Sequence, residues 1–357
     1  MTRDYSQFLT PPTGAGKTPG SVLQGLGWRN FFAQQTDADE MAETPPVRVT
    51  QVHRNGLHVV GDGIDELVPP GPEATVGDWL MLNREAPAQS RVLERTSLIK
   101  RRAAGLERQV QMIAANLDTA FIVTSCNQDF NIARLERYIA LAMEAEVAPV
   151  IVLTKPDIAD DPERFAEEAR TISDRVPVVV VNAKGEAVAE ALAAWCRPGQ
   201  TVAFMGSSGV GKSTLTNALS QGEAIETQAI REGDARGRHT TTRRQLHFVP
   251  SGCAVLDTPG MRELQMTDAE TGIGDLFSDL RDLGEACKFR DCAHETEPGC
   301  AVLAALERGE IDAARIKRWK KLVAEERFNS ESLSERRMRD KSFGKMVRKV
   351  VKNSRKK

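Results

Sequence analysis

The segment Gly206-Ser207-Ser208-Gly209-Val210-Gly211-Lys212-Ser213 follows the apolar run TVAFM and precedes the helix-like STLTNALS. No other stretch restricts the fold as tightly. A GxxxxGK[ST] turn between a strand and a helix belongs at the carboxyl edge of an α/β sheet. Its glycines let the backbone curl until N–H groups and the helix's amino end face a β-phosphate. Lys212 then reaches the β- and γ-phosphates, Ser213 binds Mg²⁺, and Thr214 completes the turn. The signal is strong for a nucleoside triphosphate with Mg²⁺, and silent on the base.

The surrounding pattern supports that sheet. Apolar runs at 120–124, 150–153, 176–181, 201–205, 245–249 and 254–256 read as strands, and helix-period segments lie near 132–146, 162–174, 187–196 and 212–220. Such alternation predicts a mostly parallel sheet covered on both faces. Before it, short β-like runs (VRVTQVHR, LHVV, DWLML, SRVLER) separated by turn signals such as Arg54-Asn55-Gly56 predict a small β-barrel, OB-like or SH3-like. The chain is thus read as multi-domain. A flexible arm is expected over 1–45, a barrel over 46–100, an α/β phosphate-loop domain over 101–265, and a helical, metal-binding module with a basic tail over 266–357. Gly16-Lys17-Thr18 imitates the end of a phosphate loop but lacks the first glycine, Pro11 standing there, and no strand precedes it.

Two elements behind the loop complete a phosphate site. Asp257-Thr258-Pro259-Gly260 comes 45 residues after Lys212 and ends the strand CAVLD. Asp257 there can hold Mg²⁺ through water, and Gly260 lets a backbone N–H approach the γ-phosphate. Between them lies Gly237-Arg238-His239-Thr240-Thr241-Thr242, whose hydroxyls beside Gly233 and Gly237 suit a loop that completes the Mg²⁺ shell through Thr241 when a γ-phosphate is present.

Two further elements precede the loop. Thr154-Lys155-Pro156-Asp157 ends the run VIVL, and Asn182-Ala183-Lys184 ends VPVVVV. The Asp157 carboxylate can accept from both N1–H and the N2 amino group of guanine, donors that adenine lacks, while Lys155 lays its stem along the base. The second turn can offer backbone N–H groups to guanine O6.

In this order, base-reading elements first and phosphate elements after, the chain resembles the circularly permuted GTPases, and within them the ribosome small-subunit-dependent GTPase A family. AxVGDW (Ala74 to Trp79) in front and Cys287-x4-Cys292-x-His294-x5-Cys300 behind extend the resemblance over about residues 24–350. It implies an OB-fold barrel, a permuted GTPase domain and a helical zinc-binding module. It also implies GTP hydrolysis to GDP, stimulated by the small ribosomal subunit during its late assembly. His239 would be the catalytic residue that positions water. Met261 stands where Ras-like enzymes keep a water-orienting glutamine, and a thioether cannot do that work. The sequence departs from the family at Thr154, where Asn is more usual, and at Asn182, where Ser is. A hydroxyl makes fewer hydrogen bonds than an amide, so weaker nucleotide affinity with unchanged specificity is expected.

The cysteines divide in two. Cys126, Cys196 and Cys253 sit in apolar surroundings, whereas Cys287, Cys292 and Cys300 crowd together with His294 within fourteen residues. Three thiolates and an imidazole make a closed tetrahedral set, so one structural zinc is expected and no disulfide framework.

Net charge is -2, yet residues 336–357 carry 11 Lys or Arg against one Asp, which leaves 37 basic and 49 acidic side chains elsewhere, a net -12. A basic end on an acidic body favours a polyanion, and ribosomal RNA fits. With aromatics at 5%, backbone and shape contacts are favoured over base stacking. No apolar run reaches the ~18 residues of a membrane span, and MTRDYSQFLTPP lacks a signal peptide's apolar stretch. A cytoplasmic monomer, with no membrane partner, is expected. Two other readings stay open: an RNA-binding protein in which GTP is only a conformational ligand, and an ATP-using phosphate-loop enzyme in which TKPD is accidental.

Overall fold

The computed structural model describes residues 22–102, 110–220, 244–257, 266 and 268–330. These fall into two compact units: Met1–Leu264 with Thr271–Arg281, and Gln265–Glu270 with Asp282–Lys357. Among the described residues no helix is long and apolar enough to cross a membrane.

In the first unit, β8 (Thr119–Ser125), β9 (Ala148–Thr154), β10 (Val178–Val180), β11 (Thr201–Met205), β12 (Gln245–Phe248) and β13 (Ala254–Asp257) form the order β10-β9-β8-β11-β13-β12. The first five of that order run parallel, and β12 is antiparallel to β13. β8, β9 and β11 are buried throughout, which is why they read as unbroken apolar runs. The crossovers carry α4 (Ile132–Glu144), α5 (Pro162–Arg170), α6 (Val188–Leu192) and α7 (Lys212–Leu219). Asn131 and Asp161 cap α4 and α5 by accepting from the N–H groups of Arg134 and Arg164. One apolar core joins Phe121, Val152, Leu192, Phe204, Leu215 and Val255.

The same sheet continues into the preceding segment. β1 (Pro46–His53) meets β12 at Gln51↔Gln245, and β2 (Gly56–Gly61), β3 (Ile64–Val68), β4 (Trp79–Met81) and β5 (Arg91–Val92) extend it antiparallel in the order β3-β2-β1-β4-β5. A bulge between Val49 and Gln51 bends β1, so its first half pairs β4 and its second half β12. Val47, Val49, Leu57, Val59, Ile64, Leu80 and Leu82 fill the inner face. The expected separation at residue 100 is therefore bridged by a shared sheet. A further antiparallel pair, β6 (Leu98–Arg102) with β7 (Val110–Ala115), stands as its own two-stranded sheet and was not anticipated.

Residues 22–43 do not behave as the flexible arm expected over 1–45. They carry α1 (Val22–Gly25), α2 (Asn30–Ala33) and α3 (Ala38–Glu43), with Leu26 and Phe32 buried beside Trp79, Met81 and Leu93. The reason is aromatic: Trp28 meets Trp79 edge-on at 4.9 Å, and Phe32 lies 5.8 Å from each of them. Arg48 fastens the same corner. Wholly buried, it donates to Leu26 O and, at 2.7 Å, to Thr201 Oγ1, with its guanidinium 5.8 Å from the Trp79 ring centre. Burial pulls its pKa down to about 10. The motif residue Asp78, also buried, accepts from Thr75 N at 2.7 Å and takes a fork from Arg95 at 2.7 and 2.9 Å.

The expected helical module differs at its start. Of the region from 266 onward, α8 (Glu270–Leu276) from Thr271 and the first half of α9 (Ser278–Glu285) belong to the first unit. The α8 backbone lies against α4, where a Cβ at Gly272 would stand 2.0 Å from Ala140 O, and Gly272 N donates to Glu144 Oε2 at 2.7 Å. The second unit holds the rest of α9, α10 (Ala301–Glu307) and α11 (Ala313–Ser330).

Candidate nucleotide site and metal cluster

Parallel pairing of β9-β8-β11-β13 brings their carboxyl ends to one edge. Beyond Met205 the chain turns at Gly206 with φ +141°, and a Cβ there would sit 2.2 Å from Val123 O of β8, so only glycine fits. The loop then passes half-buried Ser207 and exposed Ser208 and Gly209, dips at buried Val210, and enters α7 through Gly211. Gly211 offers no side-chain cap, which leaves the first N–H groups of α7 to face an anion. Lys212 Nζ donates to Gly206 O at 2.8 Å and to Ser207 O, so its ammonium closes over the loop. Ser213 is exposed and Thr214 half-buried.

The TKPD and NAK turns, expected from the sequence to read the base, meet this loop. Thr154 ends β9 with no exposed surface, and its Oγ1 donates to Val210 O at 2.6 Å, with Thr124 O at 3.2 Å. Lys155 follows at φ +56°, ψ 41°, a left-handed conformation uncommon outside glycine and often found at functional sites. It throws Pro156–Ile158 into a single 3₁₀ turn and leaves Asp157 exposed. Beyond β10, Asn182 Oδ1 accepts from Lys184 N at 3.0 Å and Asn182 O from Gly185 N at 2.9 Å, a tight turn with Ala183 buried. A Cβ at Gly211 would lie 3.6 Å from Ala183 Cβ and 3.7 Å from Thr154 Cγ2. Three turns far apart in sequence thus converge at one point. The partner of the Thr154 hydroxyl, Val210 O, was not foreseen, because a hydroxyl's partner depends on tertiary placement.

Asp257 is the last residue of β13, opposite Gln245. His239, Thr241 and Gly260 lie outside the described residues, as do the remainder of GRHTTT, Thr258, Pro259 and the basic tail.

The second unit gathers the other motif. Ligand atoms of Cys287, Cys292, His294 and Cys300 all lie within 4.8 Å of one another. Cys287 Sγ is 3.8 Å from Cys300 Sγ, and His294 Nδ1 is 3.6 Å from Cys287 Sγ and 3.4 Å from Cys300 Sγ. A tetrahedral ion with bonds of roughly 2.3 Å to sulfur and 2.0 Å to nitrogen needs edges of about 3.5–3.8 Å, so the set could hold a metal ion. Ala301 N and Leu303 N point at Cys287 Sγ and Cys300 Sγ, at 3.3 and 3.5 Å, as they would toward thiolates. Burial opposes ionisation of Cys287, but the Ala301 and Val302 amides outweigh it and lower its pKa. Burial, together with the neighbouring Cys300 and Cys287, pushes Cys292 up to about 11, a crowding a cation would relieve. Burial and then Lys320 lower the His294 pKa, which favours the neutral ring that a metal requires. Lys320 Nζ also donates to His294 O at 3.1 Å, and Trp319 stands 5.5 Å from the imidazole.

Comparison with known proteins decides the family. The RsgA GTPase family model matches residues 92–267. The small ribosomal subunit biogenesis GTPase RsgA 2 of Vibrio parahaemolyticus is 44% identical over 337 residues, covering 94% of either chain. The chain belongs to the RsgA family of small ribosomal subunit biogenesis GTPases. The RsgA of Mesorhizobium japonicum is 48% identical over 316 residues, 86% of this chain and 91% of that one. The crystal structure of YjeQ from Thermotoga maritima superposes with a TM-score of 0.55 at 26% identity, over 78% of this chain and 96% of that one. That of YloQ, described as a circularly permuted GTPase, gives 0.56 at 24% identity over 81% and 96%, a likeness of fold. As an RsgA-family member the chain is a GTPase of circularly permuted fold, and neither the ATP reading nor the non-enzymatic reading is favoured. An ABC transporter model also matches, over residues 190–350. It takes in the phosphate loop but not Thr154–Asp157 or Asn182–Lys184, the elements the sequence suggests for the base.

Proposed function

We propose that this GTPase acts on the small ribosomal subunit late in its assembly, binding in the GTP state and leaving after hydrolysis. The observation that carries the reading is the convergence of the phosphate loop, TKPD and NAK around Gly211. Names given to relatives, small ribosomal subunit biogenesis GTPase, supply the partner.

Lys212 and the amides of residues 206–214 hold the phosphates, Asp157 selects guanine, and the Ala183–Lys184 amides face O6. Ser213, Thr241 and Asp257 are the Mg²⁺ ligands, direct or through water. Mg²⁺ arriving with GTP would neutralise charge on the β- and γ-oxygens. His239 positions the attacking water, Gly260 reports the γ-phosphate, and the subunit brings the His239 loop into place. Intrinsic turnover is therefore slow.

Around this centre, strands β1 to β5 serve as an OB-like barrel, and Cys287, Cys292, His294 and Cys300 hold one structural Zn²⁺ in a helical module. Barrel, module and basic tail grip ribosomal RNA in the cytoplasm, with the protein acting as a monomer. Asp157→Asn tests the base assignment. Competition binding should show GTP weakened and xanthosine triphosphate improved, each by at least tenfold. Unchanged preference would refute it.

A further inference from the structure

The proposed base-reading turn begins at Thr154, and the commitments of its hydroxyl limit what that side chain can offer a base. Thr154 has no exposed surface. Its Oγ1 has two neighbours within hydrogen-bond reach, the Val210 carbonyl at 2.6 Å and the Thr124 carbonyl at 3.2 Å, and both are acceptors. A hydroxyl has one proton, and whichever carbonyl takes it, the proton stays inside the protein. Guanine presents N7 and O6 as acceptors on one edge and N1–H and the N2 amino group as donors on another. An amide at this position has two N–H bonds, one for a loop carbonyl and one for a base acceptor. Thr154 has none left over.

Taking the guanine site proposed above as its basis, we infer that Thr154 is a positioning residue for the phosphate loop, not a base-contacting one, and that it gives guanine N7 no donor. Recognition then rests on the donor edge, through Asp157, and on O6, through the Asn182–Lys184 turn. The contribution of Thr154 is mechanical. The Val210 carbonyl it holds is one residue from Gly211, where the Thr154 Cγ2 and Ala183 Cβ atoms close in on the helix entrance. Losing the hydroxyl loosens the phosphate loop and weakens every nucleotide alike, whatever its base edge.

Equilibrium binding of GDP, 7-deaza-GDP and ADP to the full chain tests this, 7-deaza-GDP having a C–H in place of N7. For the wild-type chain, GDP and 7-deaza-GDP should bind within about twofold of each other. Thr154→Val should weaken both by roughly 2- to 10-fold with their ratio unchanged, and Thr154→Ser, which keeps the hydroxyl, should restore both. Thr154→Asn should bind GDP more tightly and create a preference over 7-deaza-GDP of roughly 2- to 10-fold. A wild-type penalty of fivefold or more for 7-deaza-GDP, with ADP still excluded, would overturn this inference alone. A folded Thr154→Val with unchanged affinity would overturn the positioning role. ADP binding as tightly as GDP would overturn the guanine reading and this inference with it.

Discussion

Gly206 sits where three demands coincide: a φ of +141°, a carbonyl of β8 at 2.2 Å from any Cβ, and the start of the phosphate loop. Gly206→Ala should cost about 1–3 kcal/mol of stability from backbone strain, seen as a lowered urea midpoint. Because the loop must shift to admit the methyl, GTP turnover should fall by on the order of 10²-fold. Turnover near the wild-type rate would mean that the loop geometry described above is not the working one. At this scale the sequence was legible wherever a residue's role depends on its immediate neighbours. The glycines and Lys212 declare themselves in GxxxxGK[ST], and the cysteines with His294 by spacing alone. Thr154 shows the limit. As a residue type it suggested fewer hydrogen bonds and weaker nucleotide affinity, but its 2.6 Å donation to Val210 O arises from residues 56 positions apart, and no local pattern encodes that.

Among the elements, the buried strands of the GTPase sheet were readable because parallel strands covered on both faces must be apolar throughout. β11 matches the run TVAFM residue for residue, and β9 exceeds its predicted core by two residues at the start and one at the end. The β6–β7 pair was missed because LIKRR and VQMIAA mix apolar and polar side chains without a strand's alternation. Helices α1 and α2 are four residues each, too short to show a helical period, and are held by Trp28, Phe32 and Trp79. α8 was assigned to the following module, yet it packs on α4 through Gly272. Gly272→Ala puts a methyl against the Ala140 carbonyl and the Glu144 amide, both backbone, so the helices must part. A loss of roughly 1–3 kcal/mol in urea unfolding is expected. A neutral result would show that α8 does not hold this contact in solution.

For the whole molecule, circular permutation leaves the site intact because the sheet, not chain order, brings loops to one edge. What permutation changes is where the strand ending at Asp257 leads. The strand ending at Asp257 is followed in sequence by α8, which folds back on the GTPase sheet's own α4 before the cysteine-histidine cluster begins. The boundary expected at 265/266 put residues 271–281 in the metal module, and they belong instead to the first unit. In the proposed function this GTPase is a switch thrown by the small ribosomal subunit. The most direct measurement is the single-turnover rate of GTP hydrolysis by the full chain, with and without purified small subunits, beside His239→Ala. Slow hydrolysis alone, a rise of at least about tenfold with subunits, and loss of most of that rise in His239→Ala with GTP affinity kept are expected. An unchanged rate on adding subunits, or full stimulation in His239→Ala, would contradict it.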